Sequence, residues 1–189
     1  GETVLGITPH LGFVHRGIEK MGEAQTVVQF TQLTSRLDYL SAHINNWGWV
    51  LALEQALGIS VPERAEYIRL LMAELTRIAS HQLWWGVFGM DLGAFTPFLY
   101  AFRDRELIND LFEKTCGARL TMNYLCVGGV REDLEADFTR DTRAFVAAFR
   151  PKLDEYERLL SGNIIIQERT RGVGVLPAEL ARSLGCTGP

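Results

Sequence analysis

The feature that most constrains the fold is a long segment in which apolar residues recur every three or four positions. Side chains at this spacing line one face of an α-helix, not one face of a strand. Pro62 suits the first turn of that helix, and Gly86 or Gly89 suits its end. Such a helix must bury its stripe against partners of similar length. The stripe consists of Ile68, Leu71, Met72, Leu75, Ile78, Ala79 and Leu83.

Further segments with the same period predict an all-α fold, a bundle of long helices with little or no sheet. We treat residues 1–189 as a single helical domain. Pro151 lies inside one predicted helix and should kink it. The predicted helices cover residues 18–30, 34 or 35 to 57 (ending before Gly58), 62–89, 96–115 (ending before Gly117), 139–160 and 177–184, with a short strand at 4–8 and loops at 9–17, 121–137 and 169–174.

Composition excludes several classes of protein. With 47% hydrophobic and 22% charged residues, the chain has enough apolar surface to fold, so it is not intrinsically disordered. A net charge of −4 is unsuited to sequence-independent binding of nucleic acid. The three cysteines form no CxxC motif, which favours a reducing compartment. The longest apolar stretch, residues 83–102, is interrupted by Asp91 and Pro97 and is not a membrane span.

Two carboxylates fall in apolar surroundings. Glu54 follows Leu51 on the stripe of a helix that is apolar on most sides, so we expect that helix to lie at the bundle centre. A buried carboxylate is costly unless it is paired, so Glu54 should have a partner. Asp91 lies in the most apolar part of the chain, where we expect it to be buried with a raised pKa.

Three clusters carry groups that could do chemistry. The first is a glycine-containing loop with His10, His15 and Arg16, the second joins Arg36, Asp38 and Tyr39, and the third surrounds Asp91. Each also has an ordinary structural interpretation, since loop histidines, helix-start carboxylates and turn carboxylates often serve as caps. Zinc, phosphate-binding and nucleophile motifs are absent from the sequence, and no metal site is predicted.

The order of the motifs resembles one family. The sequence contains HLGFVHRGIEK, RLDY, VPERAEYIR, DLGAFTPFLYAFRDRE, GGVRED and ERTRGVG, in that order. This order resembles the quinone-site subunit (the D-type subunit) of proton-pumping NADH:quinone oxidoreductase, respiratory complex I, which is related to the large subunit of nickel–iron hydrogenases. The resemblance extends from about His10 to Gly188 and implies a helical core like that of the hydrogenase subunit.

The resemblance also implies that the chain is a fragment. Members of the family have an upstream strand hairpin with an HPxTHG loop, whose histidine contacts the quinone headgroup, and a downstream half with further helices and a strand. Neither is present, so we expect this chain to be the central helical portion. Its first residue, Gly1, and the turn-forming residues 185–189 fit an interrupted sequence.

The resemblance assigns roles to individual residues. Asp38 and Ser41 occupy positions where the hydrogenases have metal-binding cysteines, so thiolate ligation of nickel is lost. Tyr39 stands where the family donates a hydrogen bond to the quinone headgroup, and Asp91 stands at a buried proton-relay carboxylate. Arg36 would lie near the terminal iron–sulfur cluster of a partner subunit and favour its reduced form by charge.

Other implied contacts are less specific. His10, His15 and Asp38 would line the quinone cavity, although a structural role for the two histidines is equally open. Many relatives carry a histidine three residues before the tyrosine that precedes GGV, where it couples the cluster potential to pH; here that position is Thr121. Threonine cannot take up a proton near neutral pH, so we expect a lower, pH-independent potential and an acceptor such as menaquinone.

The implied assembly is a subunit of a larger enzyme. Quinone is the substrate, and NADH and the iron–sulfur clusters bind to other subunits. The partners are the cluster-bearing subunit, other subunits of the peripheral arm and the membrane arm, at the cytoplasmic side of the bacterial inner membrane. The alternatives are a related ferredoxin- or coenzyme-dependent membrane oxidoreductase, a hydrogenase-lineage subunit without metal, and a structural assembly subunit without chemistry.

Overall fold

Helices dominate the computed structural model, which describes residues 3–187. This confirms the predicted all-α class. Gly1, Gly188 and Pro189, on which the expectation of a fragment partly rested, lie outside the described residues. The α-helices are α1 Ile18–Glu23, α2 Val27–Thr34, α3 Ala42–Leu57, α4 Glu63–Asp91, α5 Phe95–Cys116, α6 Phe138–Tyr156, α7 Ile164–Thr170 and α8 Ala178–Ser183.

A short antiparallel hairpin lies within the segment predicted to be irregular. Strand β1 is Leu125–Cys126 and strand β2 is Gly129–Val130, with Leu125 opposite Val130. Gly128 supports the tight connection with a φ of +89°, a backbone conformation that other residues rarely adopt. Strands of two residues are too short for alternation to reveal them in the sequence.

Close backbone neighbours group the chain into two compact units. The first unit contains the described residues up to Thr76 together with Cys116–Asp133. The second contains Arg77–Thr115 and the described residues from Leu134 onward. The prediction of a single domain over residues 1–189 stays a prediction.

In the first unit, α3 buries one face only. Ala42, His43, Asn46, Val50 and Glu54 form that face. The prediction that α3 is buried on most sides is wrong, because its apolar residues outside this face are largely exposed, as at Leu51. The buried face carries three polar side chains, and the expected apolar stripe therefore does not line the core.

Glu54 has the partner that its burial requires. Its carboxylate accepts two hydrogen bonds from the Arg69 guanidinium, at 2.6 and 3.0 Å, and one from the Gly128 backbone N–H at 2.7 Å. Arg69 also donates to the carbonyls of Cys126 and Gly129, at 2.7 and 3.1 Å. Burial opposes ionisation of Glu54, but the hydrogen bonds and the charge of Arg69 outweigh it, and its pKa lies below the ordinary value. The cluster fixes the hairpin against α3 and α4.

The second unit contains a buried polar network. The Tyr156 hydroxyl donates to the Asp104 carboxylate at 3.0 Å and accepts from the Gln82 amide at 3.3 Å. The indole of Trp85 stacks on the Tyr156 ring, with centroids 4.3 Å apart. Helices α4 and α5 approach closely at Gly86, where a Cβ would lie 3.0 Å from the Phe98 Cα. Glycine is therefore required at this crossing.

Several predicted boundaries are wrong near the start of the chain. Residues 4–8 are extended but form no strand, since no neighbouring strand pairs with them among residues 3–187. The helix predicted at 18–30 is interrupted at residues 24–26, because Thr26 and Gln29 form a capping box that starts α2. The N-cap predicted at Thr34 or Ser35 is also wrong, since α2 ends at Thr34 and a turn precedes α3.

The later boundaries agree more closely. Helix α4 extends two residues past Gly89 to Asp91, and α5 and α8 match their predicted ranges within a residue or two. Helix α6 continues into a π-helical turn, Glu157–Ser161, which is not predicted. The Asn163 side chain caps α7, a helix that was missed and that replaces the start of the loop expected at 169–174. The kink expected at Pro151 stays a prediction.

Across the described part of the chain, every helix is too short or too polar to cross a membrane.

Candidate functional site

Tyr39 lies in a tight turn, residues 35–41, that joins α2 to α3. The Asp38 carbonyl accepts from the Ser41 N–H at 3.0 Å, which closes the turn, and it also accepts from the Asn45 amide at 2.9 Å. The Asp38 carboxylate accepts from the Leu40 N–H at 3.1 Å. Backbone and side chains thus hold the peptide groups on both sides of Tyr39.

The side chain of Tyr39 extends out of this turn. Tyr39 is 51% exposed. Within residues 3–187, its hydroxyl has no hydrogen-bond partner. A phenol in this setting can donate to an external acceptor without first breaking a bond inside the protein.

The helices that flank the turn are fixed to one another. The buried Asn46 amide of α3 donates to the Thr31 carbonyl at 2.8 Å and to the Thr34 hydroxyl at 3.2 Å, both in α2. The Trp49 indole donates to the Val27 carbonyl at 3.3 Å. The base of the turn is therefore rigid, although the turn itself is exposed.

Arg36 and Asp38 both make local contacts. The Arg36 guanidinium donates to the Gln32 carbonyl at 2.8 Å and to the Ser35 hydroxyl at 2.7 Å, and Asp38 caps the turn as described. Both side chains are exposed. These contacts are those of a helix end and a turn, and their predicted roles in binding stay predictions.

The histidine loop meets the turn through Arg16 and His15. The Arg16 guanidinium donates to the Leu37 carbonyl at 3.2 Å, and His15 Nδ1 accepts from the Gly17 N–H at 3.1 Å. A cavity of about 140 Å³ lies between loop and turn. His10 is exposed and does not line it. The cavity is lined by Val14, His15, Arg16, Gly17, Ile18, Glu19 and Leu37.

Asp91 differs from its prediction. It is the last residue of α4 and is exposed, so the expectation of burial is wrong. The reason lies in its neighbours: Met90 and Phe95 are themselves 39% and 56% exposed and form no apolar enclosure around the carboxylate. Asp91 belongs to the second unit and Tyr39 to the first.

Sequence analysis missed two residues that shape the first unit. Arg69 follows the helical spacing Ala65–Arg69–Met72–Thr76, which places a cation on a buried face and was a usable signal. Asn45 and Asn46 occupy the first turns of α3, where asparagine is unfavourable unless its side chain bonds to nearby backbone. That pair of residues was the signal for a side-chain contact with the preceding turn.

Comparison with known proteins identifies the family. The sequence profile of the family described as "Respiratory-chain NADH dehydrogenase, 49 Kd subunit" matches residues 91–189, just over half of the chain. The chain belongs to this family. The motif order that suggested the quinone-site subunit of complex I is thereby confirmed as a guide to family.

Curated members resemble the whole chain. The NADH-quinone oxidoreductase D subunit 2 of Opitutus terrae is 51% identical over 189 residues, which cover 47% of its length. The D subunit of Clostridium beijerinckii is 48% identical over 189 residues, which cover 51% of its length. The C/D subunit of Bacteroides fragilis is 50% identical over 188 residues, which cover 36% of its length. The chain thus spans about half the length of the D-type relatives that it matches.

Thr121 is the position at which this chain departs from histidine-bearing members of the 49 Kd subunit family. It precedes the hairpin, is half-buried and has a φ of +51°. A β-branched residue with positive φ is strained. The nearby Tyr124 hydroxyl donates to the Glu132 carbonyl, and burial raises the pKa of Tyr124 to about 12.

Metal ligands do not cluster in the described part of this 49 Kd family member. No group of three or more His, Cys, Asp or Glu side chains among residues 3–187 is placed to hold a metal ion. Cys116, Cys126 and Cys186 are free thiols.

Proposed function

We propose that this chain is part of the quinone-site subunit of a proton-pumping NADH:quinone oxidoreductase, and that Tyr39 contacts the quinone headgroup. Family membership and the names of its relatives support the complex. The observation that carries the role of Tyr39 is its position: an exposed phenol with an unengaged hydroxyl on a turn held by its own peptide groups.

The chemistry follows from the phenol. A neutral Tyr39 hydroxyl donates a hydrogen bond to a quinone carbonyl oxygen. Two electrons reach the quinone one at a time from an iron–sulfur cluster of a partner subunit, and the reduced oxygens become strong bases. The quinol forms when two protons are added. Tyr39 delivers or orients one of them and is then reprotonated.

The remaining candidate residues support this step. Asp91 relays protons toward the site from an exposed helix end, paired with a histidine outside this chain. Arg36 stabilises added negative charge on the partner's cluster. His10, His15 and Asp38 line the headgroup cavity, and His15 is the histidine of this set that contributes to the cavity beside the turn. With Thr121 beside the cluster, menaquinone is the proposed acceptor.

The assembly is part of the proposal. The C/D subunit of Bacteroides fragilis carries both letters in the name of one chain, which supports a neighbouring C-type subunit in the peripheral arm. The site would be completed by the cluster-bearing subunit and coupled to the membrane arm at the cytoplasmic side of the inner membrane.

The test is Tyr39→Phe in the intact complex. We expect quinone reduction by NADH to fall by about a hundredfold, as for loss of a positioned proton donor. Oxidation of NADH by a hydrophilic acceptor that withdraws electrons before the quinone should not change. Tyr67→Phe, at an exposed tyrosine on α4 of the same unit, is the matched control. Unchanged quinone reduction in Tyr39→Phe contradicts the proposal and favours a structural subunit.

The electron donor separates the related oxidoreductases from this proposal. Replacing NADH by reduced ferredoxin should not support quinone reduction by the complex that contains this chain. Preferential use of ferredoxin would favour that alternative.

A second test concerns Thr121. Redox titration of the terminal cluster should give a potential that is nearly independent of pH between about 6 and 8, since threonine does not titrate there. Restoring a histidine with Thr121→His should introduce a pH-dependent slope. A slope already present with Thr121 contradicts this part of the proposal.

A further inference from the structure

We propose that Asn45 is a positioning residue for Tyr39, holding the peptide group from which the phenol extends. This inference rests on the proposed function of Tyr39. It assigns a role in the reaction to a side chain that is not itself placed to touch the quinone.

The geometry places Asn45 on the Asp38–Tyr39 peptide bond. The Asn45 Nδ2 atom donates to the Asp38 carbonyl at 2.9 Å, and this carbonyl shares a peptide plane with the backbone nitrogen of Tyr39. Rotation of the plane would change φ of Tyr39 and swing the Cα–Cβ bond. A bond to the carbonyl therefore limits where the hydroxyl can be, several bonds further out.

Asn45 itself is well placed for this task. Its backbone N–H donates to the Ser41 carbonyl at 3.1 Å, in the first turn of α3, so its own position is set by the helix. The next residue, Asn46, is fully buried and fixes α3 to α2. The amide thus transmits the position of a rigid helix to an exposed turn.

The other contacts of the turn leave a specific gap. The Ser41 N–H also bonds to the Asp38 carbonyl, and the Asp38 carboxylate bonds to the Leu40 N–H, but both lie within the turn and move with it. Asn45 is the contact from α3 to this carbonyl. Its loss leaves the turn folded and free to tilt relative to the helix.

The test uses the intact membrane-bound complex and activity per assembled complex. Asn45→Ala should lower kcat for quinone reduction by about fivefold with little change in KM, because misplacement of a reacting group slows the reaction more than it weakens binding of a long apolar substrate. Asn45→Asp, which has nearly the same shape but presents an oxygen to the carbonyl, should be at least as slow. Asn45→Gln, which keeps the donor, should recover part of the rate.

Gln167→Ala is the matched control. The Gln167 amide also donates to a backbone carbonyl, that of Ser161, at 2.7 Å, in the second unit. This variant should keep the native kcat. An equal loss in Gln167→Ala would mean that the Asn45 effect is one of general stability and would overturn the proposal.

A double-mutant cycle with Tyr39→Phe decides whether Asn45 acts through the hydroxyl. In the Tyr39→Phe background, Asn45→Ala should cause no further loss, because the group that it positions is gone. A full additional fivefold loss in that background, which would be about as large as the loss in the native enzyme, overturns the proposal. Native activity in both Asn45→Ala and Asn45→Asp overturns it as well. If Tyr39→Phe impairs the enzyme while the Asn45 variants do not, only this inference fails; native activity in Tyr39→Phe removes the proposed function as well.

Discussion

Glu54 and Glu66 both contact the guanidinium of Arg69, but in different surroundings. The Glu54 and Arg69 side chains are 5% and 0% exposed, whereas the Glu66 side chain is 40% exposed. Removing one member of a buried pair leaves an uncompensated charge, while an exposed pair is screened by water. The two carboxylates should therefore contribute very differently to stability.

Glu54→Gln should lower the free energy of unfolding of the purified chain by about 3 kcal/mol, because Arg69 stays charged and buried. Glu66→Gln should lower it by less than about 1 kcal/mol. Urea unfolding followed by helical circular dichroism measures both. Equal effects of the two substitutions would contradict the clamp described for Glu54.

His43 makes the first unit sensitive to mild acid. It is fully buried, its Nδ1 lies 2.8 Å from the Thr76 hydroxyl, and burial lowers its pKa to about 3. The unfolded chain takes up a proton below pH about 6.5 and the folded chain does not, so stability is present above that pH and is lost as pH falls.

We expect the free energy of unfolding to fall by about 2 kcal/mol between pH 7.5 and 5. The contribution of Glu54, whose pKa is lowered, is lost below its ordinary value of 4.5 and so lies outside this window. Urea unfolding at each pH measures the fall, and His43→Gln should remove most of it. A native chain with pH-independent stability over this range would exclude a neutral, buried His43.

Single residues were predicted unevenly from the sequence. The need for a partner to Glu54 followed from a carboxylate in an apolar helix, and Arg69 supplies it. The burial of Asp91 did not follow from its apolar neighbours, because apolar residues near a surface do not enclose a charge unless something covers them. Asn45 was missed, since its contact depends on a turn whose position was predicted wrongly.

At the scale of elements, α3 contains one glycine and is followed by another, and the two have opposite requirements. Gly48 lies in the middle of the helix, with open space where a Cβ would be. Gly58 follows the last residue of α3 with a φ of +65°. Alanine suits the first environment and is strained in the second.

Gly48→Ala should raise the free energy of unfolding of the purified chain by about 0.5–1 kcal/mol, and Gly58→Ala should lower it by about 1 kcal/mol. The same urea titration compares the pair. Changes of equal sign would contradict the helix boundaries given for α3.

Helix ends were predicted where a residue with a special conformation marks them. Gly58 and Gly117 both end helices in the left-handed conformation, as their positions in the sequence suggested. The start of α3 was missed because the apolar spacing of Leu37 and Leu40 continues that of the helix through the turn. The capping box of Thr26 and Gln29 was present in the sequence and would have divided the first predicted helix.

At the scale of the whole molecule, much apolar surface is uncovered. In the second unit, Ile165 is 63% exposed and Val173 is 71% exposed. Exposed apolar surface of this kind marks an interaction site or promotes association. The exposed apolar residues between 164 and 184 are Ile164, Ile165, Val173, Val175, Leu176, Leu180 and Leu184.

The purified chain should therefore self-associate as its concentration rises. Sedimentation velocity over a range of about a hundredfold in concentration should show a shift toward larger species. Replacing Ile165 and Val173 by glutamate should reduce that shift, because charge opposes the burial of this surface. A chain that sediments as a monomer throughout contradicts the expectation.

The candidate site was predicted in part, and the reason is one of scale. Motif order identified the family and drew attention to Tyr39, and the structure places this residue on an exposed turn near His15 and Arg16. Periodicity could not predict the turn, because its geometry depends on side chains from the loop and from α3. Residues that complete a site from another polypeptide leave no trace in this sequence.

Photoaffinity labelling of the intact complex with a quinone that carries a light-activated group on its headgroup tests the role of Tyr39 most directly. After digestion with trypsin, we expect the label on the peptide that spans residues 37–64, at Tyr39 or an adjacent residue, and we expect excess unlabelled quinone to suppress it. Labelling that avoids this peptide, while quinone reduction is inhibited in proportion to the label bound elsewhere, would contradict the account.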